Sequence, residues 1–202
     1  MTADAGRTWR VQIIGGSAAS PSHCGALLAA VAGVLTASGN WAVSAWDIGD
    51  DRLPPAGAVS DLLPGAEFVR AVRRAHALVL VTPLYHNSFS GLFKNAIDYL
   101  GAHDVRGKPV ALMSTTGGIP SPQALDHLRI VVRSLYGVAL PSQVIATDDK
   151  FELAGGRYRV MAPDLTDRIC DVARELLWYA ERLRPEADGP DDAPLASRAA
   201  RS

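Results

Sequence analysis

The sequence predicts a doubly wound α/β fold, a parallel sheet sandwiched between two helical layers. Three observations carry this prediction. Short apolar runs alternate with segments of helical period along most of the chain. The runs are apolar on both faces, as in Ala77-Leu-Val-Leu-Val-Thr82, which is how a strand covered by helices on both sides reads. Three of them end in small or polar loops, where ligand sites of such sheets lie.

The elements follow in order. Arg10-Val-Gln-Ile-Ile-Gly-Gly16 reads as a buried strand entering a glycine turn, and Ser17 to His23 as a loop of small residues. A helix is expected from about Cys24 to Ser38, stopped by Gly39-Asn40. Trp41 to Asp47 alternates as a second strand and offers no evident polar cluster. A Pro/Gly-rich connection at Leu53 to Pro64 precedes a helix near Gly65 to Ala75 and the strand Ala77 to Thr82. Pro83 to Gly91 forms a second loop, Leu92 to Leu100 a helix, and Pro109-Val-Ala-Leu-Met-Ser114 a fourth strand. That strand ends in the glycine turn Thr115-Thr-Gly-Gly118. Leu125, Leu128, Val131, Val132 and Leu135 recur at helical spacing between Pro122 and Tyr136. A last strand is expected near Gln143 to Thr147, and Asp164 should cap a final helix carrying Leu165, Ile169, Val172, Leu176 and Leu183 on one side.

The 202 residues suffice for one domain with a sizeable core, expected over residues 10–184. Residues 1–9 read as an N-terminal extension and Pro185 to Ser202, poor in apolar residues, as a disordered tail. Twenty basic residues balance 21 acidic ones, a formal net charge of −1, and the lysines are scattered. That distribution lacks the basic footprint of a nucleic-acid or anionic-membrane partner. Two distant cysteines, Cys24 and Cys170, fit a reducing compartment. With no apolar leader segment and no run near the ~20 residues of a bilayer span, a cytoplasmic location is expected.

The loop Ser17-Ala-Ala-Ser-Pro-Ser22 is the most informative segment. It sets three hydroxyls and backbone N–H groups before a helix, an arrangement suited to phosphate. A plain serine-rich turn capping the helix fits equally well. A triphosphate-binding loop would need glycines followed by Lys and Ser/Thr, and a dinucleotide fingerprint would need Gly-x-Gly-x-x-Gly; neither occurs here. A phosphoacceptor domain would need acids at the end of the first strand, and none precedes Asp47 in the strands. A mononucleotide phosphate held by hydroxyls and amides remains. The five histidines show no metal-ligand spacing.

Taken together, Val11-Gln-Ile-Ile-Gly-Gly-Ser-Ala-Ala-Ser-Pro-Ser22, Thr82-Pro-Leu-Tyr-His-Asn-Ser-Phe-Ser-Gly-Leu-Phe-Lys-Asn-Ala-Ile-Asp98 and Ser114-Thr-Thr-Gly-Gly118 resemble the NADPH-dependent FMN reductase family. The resemblance covers roughly residues 10 to 183 and extends, through Ala146-Thr-Asp-Asp149, to flavin reductases of two-component alkanesulfonate-type monooxygenases. It implies a flavodoxin-like three-layer sandwich with a five-stranded parallel sheet in the order 2-1-3-4-5. It also implies hydride transfer from NADPH or NADH to FMN, for delivery to a partner monooxygenase.

On that resemblance Ser17, Ser20, Ser22 and His23 surround the FMN phosphate. Ala19 stands where the family often carries an arginine, which implies weaker, pH-sensitive flavin binding that leans on His23. Pro83, Leu84, Tyr85, His86, Asn87 and Ser88 would run beside the isoalloxazine ring, and Thr116, Gly117 and Gly118 would face its pyrimidine end. Because the flavin carries the chemistry, no catalytic acid, base or nucleophile is expected. Cys24 reads as packing, and Lys94, Asn95 and Asp98 as structural. The family habit implies a homodimer or homotetramer, with Phe89, Leu92 and Phe93 offering apolar surface at the rim of the site. Two further readings stand beside this one. One is an FMN-retaining reductase of quinones, azo compounds or metal ions. The other is a non-enzymatic electron carrier or a relative that no longer binds flavin.

Overall fold

A computed structural model of the chain describes residues 8–57, 63–183 and 185. The expected N-terminal extension, apart from its last two residues, and the expected tail beyond Pro185 lie outside the described residues. Five parallel strands form the sheet among these residues: β1 (Trp9–Gly15), β2 (Trp41–Asp47), β3 (Ala77–Tyr85), β5 (Pro109–Thr115) and β6 (Val138–Ala146). Their order is β2-β1-β3-β5-β6, the predicted order once a short strand β4 (Ser88–Phe89), paired antiparallel to the end of β3, is set aside. Between them run α1 (His23–Ala37), α2 (Leu63–Arg74), α3 (Gly91–Ile97), α4 (Ala102–Val105) and α5 (Gln123–Ser134). An antiparallel hairpin, β7 (Phe151–Ala154) and β8 (Arg157–Val160), precedes α6 (Pro163–Leu183).

The pleat sorts the apolar strand residues into two cores. Val11, Ile13, Val79, Val81, Ala111 and Met113 meet α1 and α6 through Leu27, Val31, Leu35, Ile169, Val172 and Leu176. Their neighbours Ile14, Leu78, Leu80, Val110 and Leu112 meet α2, α3 and α5 through Phe68, Val72, Phe93, Leu125, Leu128 and Val132. Burial on both faces explains why the central strands carry no polar alternation.

Several expectations need correction. The last sheet strand begins at Val138, five residues before the predicted start. Pro141 hides it in the sequence but is tolerated because β6 pairs on one side only. The helix expected over Leu92 to Leu100 ends early, at Ile97 of α3, and the four-residue α4 follows it from Ala102. Asp164 does not precede α6: the helix starts at Pro163, and the Asp164 carboxylate accepts the Lys150 ammonium at 2.7 Å. Phe93, expected at the rim, is fully buried against the second helical layer, while Phe89 and Leu92 are half-buried.

Candidate functional site

The carboxyl edge of the sheet gathers the loops. Gly15 closes β1 where a Cβ would come within 2.9 Å of the Val81 Cβ, so no side chain fits between β1 and β3. Gly16 turns the chain at φ 139°, with the place of a Cβ only 2.6 Å from Asp47 Oδ1. Ser17, 4% exposed, then lies under the loop with its Oγ 2.9 Å from the Tyr85 hydroxyl. Ser22 is the N-cap of α1, its Oγ accepting the Gly25 N–H at 3.0 Å. The capping reading of the serine loop therefore holds for Ser22. It also delivers the chain to a helix N-terminus whose first-turn amides and dipole favour an anion.

Two cavities flank this loop. The first, about 300 Å³, lies between the loop, Pro83 to Tyr85 after β3, and Thr115 to Gly117 after β5, with Asp148 and Tyr158 completing its wall. The second, about 430 Å³, lies on the other side, between the loop, the flank of α1, Asp47 to Asp50 and the hairpin residues Gly156 to Tyr158. Ser17, Ala19, Pro21, Ser22 and Tyr158 line both, so the loop is a shared wall.

Of the residues predicted from sequence, Ser17, Ser22, His23, Pro83, Leu84, Tyr85, Thr116 and Gly117 come together on the first cavity, and Ser20 lines the second. His86, Asn87, Ser88 and Gly118 line neither. His86 (φ 49°) and Asn87 (φ 63°) form the two-residue turn joining β3 to β4, and Ser88 Oγ sits 2.9 Å from His127 Nδ1. Thr116 folds its hydroxyl back onto the Ile119 carbonyl at 3.0 Å. Tyr85 keeps 44% of its surface exposed, a flat ring with its polar tip tied to Ser17.

Sequence reasoning missed Asp47, Asp148, Phe151, Arg157 and Tyr158. The hairpin was legible: two short β-prone runs around Gly155-Gly156 are a hairpin signal, and both glycines adopt the positive φ that such a turn needs, 59° and 75°. It packs over the start of α1. His23 stacks on Phe151 with ring centroids 4.6 Å apart and meets the edge of Tyr158 at 4.2 Å. Its Nδ1 lies 3.0 Å from Asp148 Oδ1. Asp47 ends the second strand, where no polar cluster is evident in the sequence, and with Asp50 it borders the second cavity. Burial first, and repulsion from Asp50 and Asp51, hold its carboxyl above the usual range, against the opposing hydrogen bond from the Gly49 N–H.

Cys24 is packing, as expected. It is 1% exposed and its thiol donates to the Val81 carbonyl at 3.6 Å. Burial pushes the thiol up to about 12, which leaves no nucleophilic thiolate at neutral pH. Among the described residues no group of three or more His, Cys, Asp or Glu side chains is placed to hold a metal. Nor is any described helix long and apolar enough to cross a membrane.

Comparison with known proteins shows the family and the fold. The model of the NADPH-dependent FMN reductase family matches residues 9–151, from the first strand to the start of the hairpin. An FMN-dependent NADPH-azoreductase of Staphylococcus saprophyticus is 47% identical over 110 residues, 50% of this chain and 58% of that protein. The chain spans about half the length of the curated relatives it matches. An NADH:FMN oxidoreductase in its apo form superposes with a TM-score of 0.72 at 22% identity, covering 95% of this chain and 98% of that one. An archaeal flavodoxin does so with a TM-score of 0.60 at 11% identity, covering 87% and 99%. These two likenesses carry the flavodoxin-like fold, and the family match carries more: the chain belongs to the NADPH-dependent FMN reductase family.

Proposed function

We propose that the chain is an NAD(P)H-dependent FMN reductase, taking hydride from a reduced nicotinamide to FMN bound in the first cavity. The observation that carries this reading is the convergence of three strand-end loops, all inside the family match, on one cavity at the carboxyl edge. The donor set suits the group. Hydroxyls of Ser17, Ser22 and Tyr85 and the amides before α1 offer hydrogen bonds to a phosphate and sugar chain without a metal. At Gly117 a Cβ would meet nothing closer than the Asp148 carboxylate at 3.9 Å, which leaves room for a flat ring beside the backbone.

FMN, when bound, supplies the hydride chemistry. The chain's own residues hold and orient. Ser17, Ser20, Ser22 and His23 seat the phosphate end; Pro83, Leu84 and Tyr85 flank the ring, with His86, Asn87 and Ser88 shaping that loop's turn. Thr116 and Gly117 bring backbone close to its pyrimidine end, with Gly118 continuing that turn outside the cavity. No side chain is assigned a proton in the hydride step.

Two destinations for the electrons follow. Reduced flavin leaving the protein would serve a partner monooxygenase. Flavin retained on the protein would pass electrons directly to azo compounds or quinones, a reading favoured by the relatives named FMN-dependent NADPH-azoreductases. The buried, unpaired Cys24 and the unpaired Cys170 fit a cytoplasmic protein. Exposed apolar groups such as Ile119 and Ile130 fit a homodimer or homotetramer, which light scattering of the purified chain tests directly.

The deciding experiment is anaerobic titration of FMN-loaded protein with NADPH and then NADH, following flavin bleaching, with desalting afterwards. Bleaching with reduced FMN in the small-molecule fraction supports delivery to another enzyme. Bleaching with flavin retained supports the azo or quinone reductase. No bleaching with either nucleotide overturns the reductase reading and leaves an electron carrier or a fold without flavin.

A further inference from the structure

We propose that Arg157, at the tip of the β7–β8 hairpin, supplies the fixed positive charge for the phosphate end of the flavin and so sets the preference for FMN over riboflavin. The inference rests on the reading of the first cavity as the FMN site, with the phosphate end reaching past the serine loop toward the second cavity, which Ser20 and Arg157 line.

The loop from Gly15 to Ser22 contains no lysine or arginine. Among the described residues, Arg157 is the one side chain of permanent positive charge that lines either cavity. It forms no ion pair with a described acidic side chain and is exposed, so its guanidinium is available. Its strand neighbour Tyr158 lines both cavities, which puts the hairpin tip beside the loop that separates them.

Charge balance points the same way. Asp47 and Asp50 border the second cavity and Asp148 the first. Asp148 is engaged by His23 at 3.0 Å and Asp47 Oδ1 by the Gly49 N–H at 2.9 Å. Without Arg157 a phosphate dianion on the loop would face three carboxylates and one imidazole. A guanidinium fork satisfies phosphate oxygens with paired, charge-assisted hydrogen bonds and keeps its charge at every working pH.

The test is equilibrium titration of the purified full chain with FMN and with riboflavin, comparing wild type, R157Q, R157K and R159Q. Arg159 is the control, two residues along the same strand and outside both cavities. R157Q should weaken FMN about tenfold or more and leave riboflavin within about twofold, so the affinity ratio collapses. R157K should fall between, and R159Q should match wild type. An unchanged ratio in R157Q, or an equal loss for both ligands, would overturn the proposal. The latter would mark damage to the hairpin instead of lost charge. Wild type that binds neither ligand would instead sink the FMN reading on which the proposal stands.

Discussion

Ser22 shows how one side chain can serve two roles that a pair of substitutions separates. Its Oγ caps α1 through the Gly25 N–H, so Ser22→Ala should cost about 1 kcal/mol in urea unfolding. Ser22→Asp should restore the cap and yet weaken FMN, because it sets a carboxylate where the phosphate is proposed to sit. Equal FMN affinity in the two variants would reduce Ser22 to a cap. His23 offers a second residue-scale test. Its ring is held by Phe151, Tyr158 and Asp148 at the first position of α1. His23→Asn should bind FMN more weakly than wild type; equal affinity would remove His23 from the phosphate seat. Lys108 lies outside the site. It is 2% exposed and donates to the Val72 and Arg73 carbonyls at the end of α2, each at 2.8 Å. Burial pulls it down from 10.5 to about 8, partly offset by the Asp104 carboxylate. Between those values the unfolded chain holds a proton that the folded chain has released, so stability rises with pH across that window. Urea midpoints of wild type should gain on those of Lys108→Met from pH 8 to 10.5. A flat difference would show that the ammonium stays charged when buried.

The hairpin is legible in the sequence but is not among the elements expected from it, and it has its own test. Its turn depends on Gly155 and Gly156 at positive φ, where a side chain costs about 1–2 kcal/mol per residue. Gly155→Val with Gly156→Val should loosen the hairpin, speed amide exchange over 151–160 and weaken FMN. The global unfolding midpoint should move little, because only Phe151 and Val160 of the hairpin pack against the main core. A large fall in midpoint with unchanged flavin affinity would make the hairpin a structural cover. Other elements were legible to different degrees. The central strands β3 and β5 and the helices α5 and α6 announce themselves through apolar runs and 3.6-residue spacing. By contrast, β6 is interrupted by Pro141, and α3 and α4 are too short to establish a period.

At the scale of the molecule, the two cores are held apart by one sheet, and the site sits on the sheet's edge instead of inside either core. Stability and ligand binding should therefore separate. Leu112, fully buried in the layer under α2, α3 and α5, should cost about 2–5 kcal/mol as Leu112→Ala. The FMN affinity of the molecules that remain folded should stay at the wild-type value. A parallel loss of affinity would mean that the core positions the loops more directly than the separation suggests.

The sequence by itself determined the layer architecture and the three strand-end loops, and its resemblance to the family implied the strand order. The layers and the loops follow from local quantities: apolar period, glycine turns and motif spacing. It also brought eight of the proposed site residues to one cavity, because short loops after adjacent parallel strands have only one edge on which to meet. Only the tertiary structure decided which loop positions face the cavity and which make a turn, as at Tyr85 against His86 and Asn87. It alone brought Asp148, Phe151 and Tyr158 to His23, and Arg157 to the serine loop, across more than a hundred residues of chain. Such contacts depend on how the hairpin and α1 pack in three dimensions, and no local pattern in either segment encodes that.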